Sequence, residues 1–185
     1  LAAAGTSGGP AIQNSSAGVA SVAMTRVTVA YNRAASNGGG MTLISGNLSL
    51  KNSLLAGNIA PTNTDLQASF TSLGYNLVQT RGSSSGYVAA DLANVSKPNI
   101  AVVAFIGGPT SAILPGIGSP AIDAIPPAQC AGISTDQRGY QRLAGNCDIG
   151  AIEVGALPPP PLLRLLLLIL PQLRWPLRIP PPRLL

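Results

Sequence analysis

Histidine is absent from this 185-residue chain, and charged residues make up only 9% of it. Without histidine the chain cannot build a Ser-His-Asp triad, an imidazole general base or a histidine-ligated metal site. Its two cysteines are too few for a structural zinc site without other ligands. Charged helix-forming residues are scarce, whereas Gly (21 in all), Ser, Ala and Asn are abundant, which favours short strands joined by tight turns.

Basic charge is lacking where a nucleic-acid surface would need it. The net charge is +5, but residues 1–156 hold seven basic and six acidic side chains and are close to neutral. The excess comes from residues 157–185, which carry four arginines and no acid. We therefore expect no basic stripe on the folded part and no nucleic-acid partner.

The most informative feature that is present is an internal repeat. Segment 22–34 aligns with segment 48–60: apolar residues coincide at the first, third and eighth positions, Asn at the eleventh and Ala at the thirteenth. The offset between the segments falls in the range of roughly 20–50 residues that is typical of solenoids, whose repeats bury their apolar faces against one another. Within each repeat the apolar residues alternate with a period of two, which indicates strands. The pattern predicts an all-β protein, a single-stranded parallel β-helix of the pectate-lyase-like type.

The chief alternative all-β architecture is a β-sandwich binding module. Its strands would pair antiparallel, whereas a fixed spacing between like strands favours parallel stacking.

Asn32 and Asn58 occupy the same position in the two repeats. In stacked repeats their amides would form a ladder of hydrogen bonds, each amide satisfying the next. The alternative is that both are independent turn residues, since Asn tolerates the left-handed conformation. The shared position favours the ladder.

Composition divides the chain into three regions. We expect residues 1–96 to form β-helix coils, as a fragment whose upstream coils are missing, because the chain starts with Leu and shows no signal peptide. Residues 97–156 are rich in Gly and Pro and are predicted to form an irregular cap over the open coil end. Residues 157–185 are a Pro/Leu/Arg tail, which we expect to be disordered or a degenerate or frame-shifted anchor. Its apolar run, 162–170, is shorter than a membrane span, so membrane attachment through it is doubtful.

Five short motifs between residues 72 and 153 occur in a characteristic order. They are Ser72-Leu-Gly-Tyr-Asn76-Leu, Gly107-Gly-Pro-Thr110, Gly118-Ser-Pro-Ala-Ile-Asp123, Thr135-Asp-Gln-Arg-Gly139 and Cys147-Asp-Ile-Gly-Ala-Ile-Glu153. In this order and spacing they resemble the choice-of-anchor Q domain of bacterial surface proteins. The chain departs from that pattern at Lys97, where the family favours Asp, and at Ile106, where it favours Asn.

The resemblance implies the C-terminal part of a right-handed parallel β-helix protein that is extracellular or attached to the bacterial surface. It implies no catalytic role, so we expect a monomeric passenger, adhesive or structural domain. Its partners would be carbohydrate or other ligands of a host or cell surface. The alternative is a fragment of a β-helix polysaccharide lyase or glycoside hydrolase; residues 17–60 contain no Asp or Glu, which counts against it.

Cys130 and Cys147 are predicted to form a disulfide that closes the cap, in keeping with an oxidising compartment. The alternative is a pair of free buried thiols.

Four of the six acids lie late in the chain, close to two arginines. They suggest either a carbohydrate-cleaving or calcium site or a structural network that pins the cap. We favour the network, formed by Asp123, Asp136, Arg138 and Asp148, and expect no catalytic residue and no cofactor, with calcium as the weaker alternative. A sugar-binding face at Arg26, Tyr31 and Arg33 is a further hypothesis; ordinary solvated coil residues would look the same.

Overall fold

The computed structural model describes residues 12–14 and 21–159. Predictions for residues 160–185, which include the apolar run and most of the tail, therefore lie outside the described residues. Within the described ranges there are ten short strands and one short helix. They are β1 (Ile12–Asn14), β2 (Ser21–Thr25), β3 (Thr28–Ala30), β4 (Met41–Leu43), β5 (Asn47–Lys51), β6 (Leu54–Ala56), β7 (Leu66–Gln67), β8 (Thr71–Ser72), β9 (Leu77–Val78), β10 (Leu92–Ala93) and α1 (Pro127–Cys130). No described helix is long and apolar enough to cross a membrane.

Strands β1 to β9 fall in turn into three different parallel sheets, and β10 joins the third of them. The strand orders are β1-β4-β7 in the first sheet, β2-β5-β8 in the second and β3-β6-β9-β10 in the third. Every strand pair in these sheets is parallel. The all-β prediction is confirmed, and the parallel pairing contradicts the antiparallel β-sandwich.

The register between neighbouring strands follows the sequence repeat. Val22 pairs with Leu48 and Met24 with Leu50, at the spacing of the repeat, as predicted. After this the spacing shortens, because Leu54 already pairs with Leu77. Residues 61–96 contain β7, β8 and β9, which form one row of strands with one strand in each sheet, and also β10, which begins a further row.

The third sheet is buried on both of its faces. On one face Val29, Leu55 and Val78 join a core cluster with side chains from the other two sheets. On the other face Leu54 and Leu77 belong to a second cluster, which includes residues from the C-terminal half of the chain. Burial on both faces explains why β6 is an uninterrupted apolar run instead of an alternating one.

The C-terminal segment packs along the outer face of the third sheet. Ile125 and Ile149 join Leu54 and Leu77 there in the second cluster. The backbone N–H of Gly150 donates to the Asn52 carbonyl at 2.9 Å, and the N–H of Ala151 donates to the Thr28 hydroxyl at 3.0 Å. The physical reason is that this outer face is apolar and must be covered along its length.

A residue with a left-handed backbone conformation lies at the bend between the second and third sheets in each of three successive rows of strands. Arg26, Asn52 and Tyr75 have φ angles of 54°, 53° and 56°. For a residue other than glycine this conformation costs about 1–2 kcal/mol. It turns the chain from one sheet to the next over a very short connection, and it directs Arg26 and Asn52 toward the C-terminal segment.

Candidate functional site

The predicted asparagine pair is hydrogen-bonded. The Nδ2 and backbone N–H groups of Asn32 both donate to Oδ1 of Asn58, at 2.9 and 3.0 Å. Asn58 in turn donates from its Nδ2 to Oδ1 of Asp65 at 2.9 Å, and the N–H of Thr80 reaches the other oxygen of Asp65 at 2.8 Å. Asn32, Asn58 and Asp65 therefore form a series of hydrogen-bonded side chains, the first polar column. It ends in a carboxylate, which can only accept hydrogen bonds.

A second polar column was not predicted from the sequence. Its side chains come just before the strands of the third sheet along the chain. The N–H of Val27 donates to the Ser53 hydroxyl, and the N–H of Ser53 donates to Oδ1 of Asn76 at 3.0 Å. Asn76 then donates from Nδ2 to Asp91 at 3.0 Å. The members are Ser, Asn and Asp instead of one repeated residue type, so sequence alignment does not reveal the column.

Cys130 and Cys147 form the predicted disulfide, with their Cα atoms 6.0 Å apart. The Arg26 guanidinium contacts both halves of this link: Nη1 donates to Cys147 Sγ at 3.3 Å and Nη2 to the Cys130 carbonyl at 2.7 Å. Arg26 is only 6% exposed. The disulfide and the arginine together join the β2–β3 bend to the C-terminal segment.

Asp136 and Arg138 form an ion pair of 2.6 Å. Both carboxylate oxygens of Asp136 accept hydrogen bonds. Oδ1 accepts the backbone N–H groups of Arg138 and Tyr140. Oδ2 accepts the side-chain Nε and Nη2 groups of Arg138 and the backbone N–H of Glu153. Arg138 also donates to the Glu153 carbonyl at 2.7 Å. This pair fixes the turn around residue 138, as expected of a structural network.

A second buried ion pair joins Arg142 to Glu153 at 2.6 Å. Arg142 also donates to the carbonyls of Gly150, Ala151 and Thr135. Glu153 accepts in addition the N–H of Asp148. Neither member was among the predicted network residues, although both lie in the late cluster of charges.

Asp148 and Asp123 are linked, but only one of them uses its carboxylate. Asp148 Oδ1 accepts the backbone N–H of Asp123 at 2.8 Å, and its Oδ2 accepts the N–H of Val154 at 2.6 Å. Asp123 joins the network through its backbone. Burial raises the pKa of Asp148 and of Glu153 above the usual range for a carboxyl group, against the lowering effect of these hydrogen bonds.

The hypothetical sugar face divides into one buried and two exposed residues. Arg26 is buried, as described, whereas Arg33 is exposed. Tyr31 is 40% exposed, and its hydroxyl donates to the carbonyls of Ile100 and Ala101, both at 3.0 Å. The three side chains therefore do not share one solvent-facing surface.

A cavity of about 330 Å³ lies between the β2–β3 bend and the C-terminal segment. Its wall includes the side chains of Arg26, Arg142 and Asp136, with Thr25, Ile133 and Ala151 around them. Within the described ranges no group of three or more Asp, Glu or Cys side chains is placed to hold a metal ion. Two of the cavity's described lining residues, Arg26 and Arg142, carry guanidinium groups.

Comparison with known proteins identifies no relative: no family profile, no curated protein and no solved structure matches the chain.

Proposed function

We propose that this chain is part of a non-catalytic, secreted or cell-surface domain built on a right-handed parallel β-helix. Its role would be that of a passenger, adhesive or structural module, of the choice-of-anchor Q kind that its motifs resemble. The observation that carries the proposal is the environment of three late acids: the carboxylates of Asp136, Asp148 and Glu153 are engaged by ion pairs and by backbone N–H groups.

The sheet order supports the β-helix part of the proposal. Strands β1 to β9 enter the three parallel sheets in a repeating order, and the strands of the two matched segments pair at the spacing of the sequence repeat. In a β-helix each sheet would be one face of the coil. Crossover connections between parallel strands of one sheet are right-handed in about 98% of cases, which supports that hand.

The environment of the acids favours a structural role over polysaccharide cleavage. A glycosidase needs one carboxyl group free to protonate the leaving oxygen and a second that faces water or the sugar. Asp136 and Glu153 are 7% and 1% exposed and are each bound to an arginine. The pKa of Glu153 is raised by burial, but buried ion-pair networks shift pKa values in the same way.

The disulfide supports an extracellular location. Disulfides persist in oxidising compartments and are rare in the cytosol. This one links two parts of the segment that covers the third sheet, where it would serve a domain exposed to proteases and changing conditions.

The proposal is tested by assaying the purified full chain against pectate, alginate, xylan and chitin. Reducing ends and the ultraviolet absorbance of unsaturated uronides report hydrolase and lyase activity. We expect no turnover, together with binding of the labelled chain to bacterial or host cell surfaces. Turnover that E153Q abolishes while D91N retains it would overturn the non-catalytic assignment, and a crystal structure with left-handed coils would overturn the architecture.

A further inference from the structure

Arg26 carries a buried positive charge that forms no ion pair with any residue the structure describes. Asp136 is neutralised by Arg138, and Arg142 by Glu153. The hydrogen bonds that Arg26 makes to described residues go to a sulfur atom and to a carbonyl oxygen, neither of which bears a formal charge. Buried guanidinium groups are ordinarily paired with an anion.

The side chain also has unused hydrogen-bonding capacity. A guanidinium has five N–H donors, and two of those of Arg26 reach acceptors on described residues. Desolvation lowers the pKa of Arg26 below its usual range, repulsion from Arg142 lowers it further, and attraction to Glu153 opposes both. An anion beside Arg26 would further stabilise the charged form of the guanidinium.

The cavity gives such an anion a place to bind. Arg26 and Arg142 both line it, and its volume of about 330 Å³ lies at the lower end of the range of ligand pockets. Thr25 and Thr135 add hydroxyl groups to the wall, and Ile133 adds an apolar surface. Asp136 is the one acid among the described lining residues, and both of its carboxylate oxygens are engaged by N–H donors.

We propose that this cavity binds a single carboxylate group carried by a sugar-sized molecule, with the remaining N–H groups of Arg26 as the principal donors. One unmatched positive charge selects a monoanion. A planar carboxylate fits the fork of a guanidinium, because two parallel N–H···O bonds form at once. A sulfate ester has the same charge but a tetrahedral shape and is the competing ligand class. The inference does not depend on the proposed surface role.

The test is a calorimetric titration of the full chain with galacturonate, galactose 6-sulfate and galactose. We expect one galacturonate per chain, weaker binding of the sulfate ester and no binding of galactose. In R26Q the affinity for galacturonate should fall at least tenfold. R33Q removes an equal charge from an exposed position outside the cavity and should leave the affinity unchanged.

A second variant keeps the test decisive if R26Q fails to fold. A151L fills the cavity with a larger side chain, while the hydrogen bonds of residue 151 to Thr28 and Arg142 use only its backbone. Galacturonate binding should be lost in folded A151L, as judged by an unchanged circular dichroism spectrum. Absence of galacturonate binding to the unmodified chain, equal binding of galactose, or unchanged affinity in folded A151L would each overturn the proposal. Tighter binding of galactose 6-sulfate would overturn the assignment of a carboxylate.

Discussion

Arg26 and Asn52 occupy the same position in successive rows, and their side chains donate to adjacent carbonyl groups of α1. Arg26 Nη2 reaches the Cys130 oxygen at 2.7 Å, and Asn52 Nδ2 reaches the Gln129 oxygen at 3.3 Å. Both residues are in the left-handed conformation that turns the chain from the second sheet to the third. The repeating bend therefore also holds the C-terminal segment, whose own backbone forms few regular ladders.

Removal of the disulfide should destabilise the protein. We expect the C130S/C147S variant to unfold at a lower urea concentration, with a loss of about 3 kcal/mol, because the unfolded chain regains the freedom of a loop of this length. A reducing agent should lower the stability of the unmodified protein by a similar amount and leave the variant unaffected. An equal effect of the reducing agent on both proteins would contradict this explanation.

Removal of the central amide of the first polar column should be costly. In N58A, the N–H and Nδ2 groups of Asn32 lose their acceptor in a buried site, and each unsatisfied buried group costs about 1–3 kcal/mol. We expect a loss of about 3 kcal/mol in urea unfolding. N47A, at an exposed position in β5, is the matched control and should change stability by about 0.5 kcal/mol or less. Similar losses in the two variants would show that the column contributes little.

Asp65 should make stability depend on pH in an unusual direction. It is 1% exposed, and burial raises its pKa above the ordinary value of 3.8, against the lowering effect of its hydrogen bonds to Asn58 and Thr80. The folded state therefore binds this proton more tightly than the unfolded chain does, so the carboxyl contributes more to stability as the pH falls from about 7 toward about 4.

The measurement is urea unfolding of the unmodified protein and of D65N at several pH values in this range. The stability of the unmodified protein relative to D65N should increase as the pH falls. A decrease would mean that the N–H donors around the carboxylate outweigh its burial.

Gly40 should tolerate no side chain. A Cβ atom at this position would lie 2.5 Å from the Asp65 carbonyl oxygen and 2.8 Å from Asn58 Nδ2, in the next row. We expect G40A to lose about 3 kcal/mol of stability, at the upper end of the cost of overpacking. G132A is the control, since no heavy atom of the described residues lies within 4 Å of its Cβ and only the cost of its positive φ remains. A smaller loss in G40A than in G132A, measured by thermal unfolding, would contradict the close approach.

The pairing of β2 with β5 and of β3 with β6 could be predicted because stacked repeats need the same type of residue at equivalent positions. Each row needs an apolar residue where Met24 and Leu50 face the core, and an amide where Asn32 and Asn58 meet. Such requirements are local to the repeat and recur in the sequence. The disulfide was predictable for a simpler reason, since the chain has only two cysteines.

The position of the C-terminal segment and the burial of Arg26 could not be predicted in this way. The contact between Arg26 and Cys130 joins residues 104 positions apart, and no periodic pattern encodes it. Arg26 looks like a solvated strand-end residue until the segment that covers it is known. One signal was available: Arg26 aligns with Asn52, so both rows place a strong hydrogen-bond donor at the same bend.

The first polar column also has a direction. Each amide donates toward the later row, and the series ends at Asp65, whose carboxylate in its ionised form accepts hydrogen bonds and donates none. At the opposite end Asn32 Oδ1 has no hydrogen-bond partner among the described residues. An engineered array could therefore be lengthened by inserting further copies of the repeat ahead of β2, because the amide of each added Asn could donate to Asn32 Oδ1. A copy inserted after Asp65 would instead meet an ionised carboxylate, which donates no hydrogen bond to it.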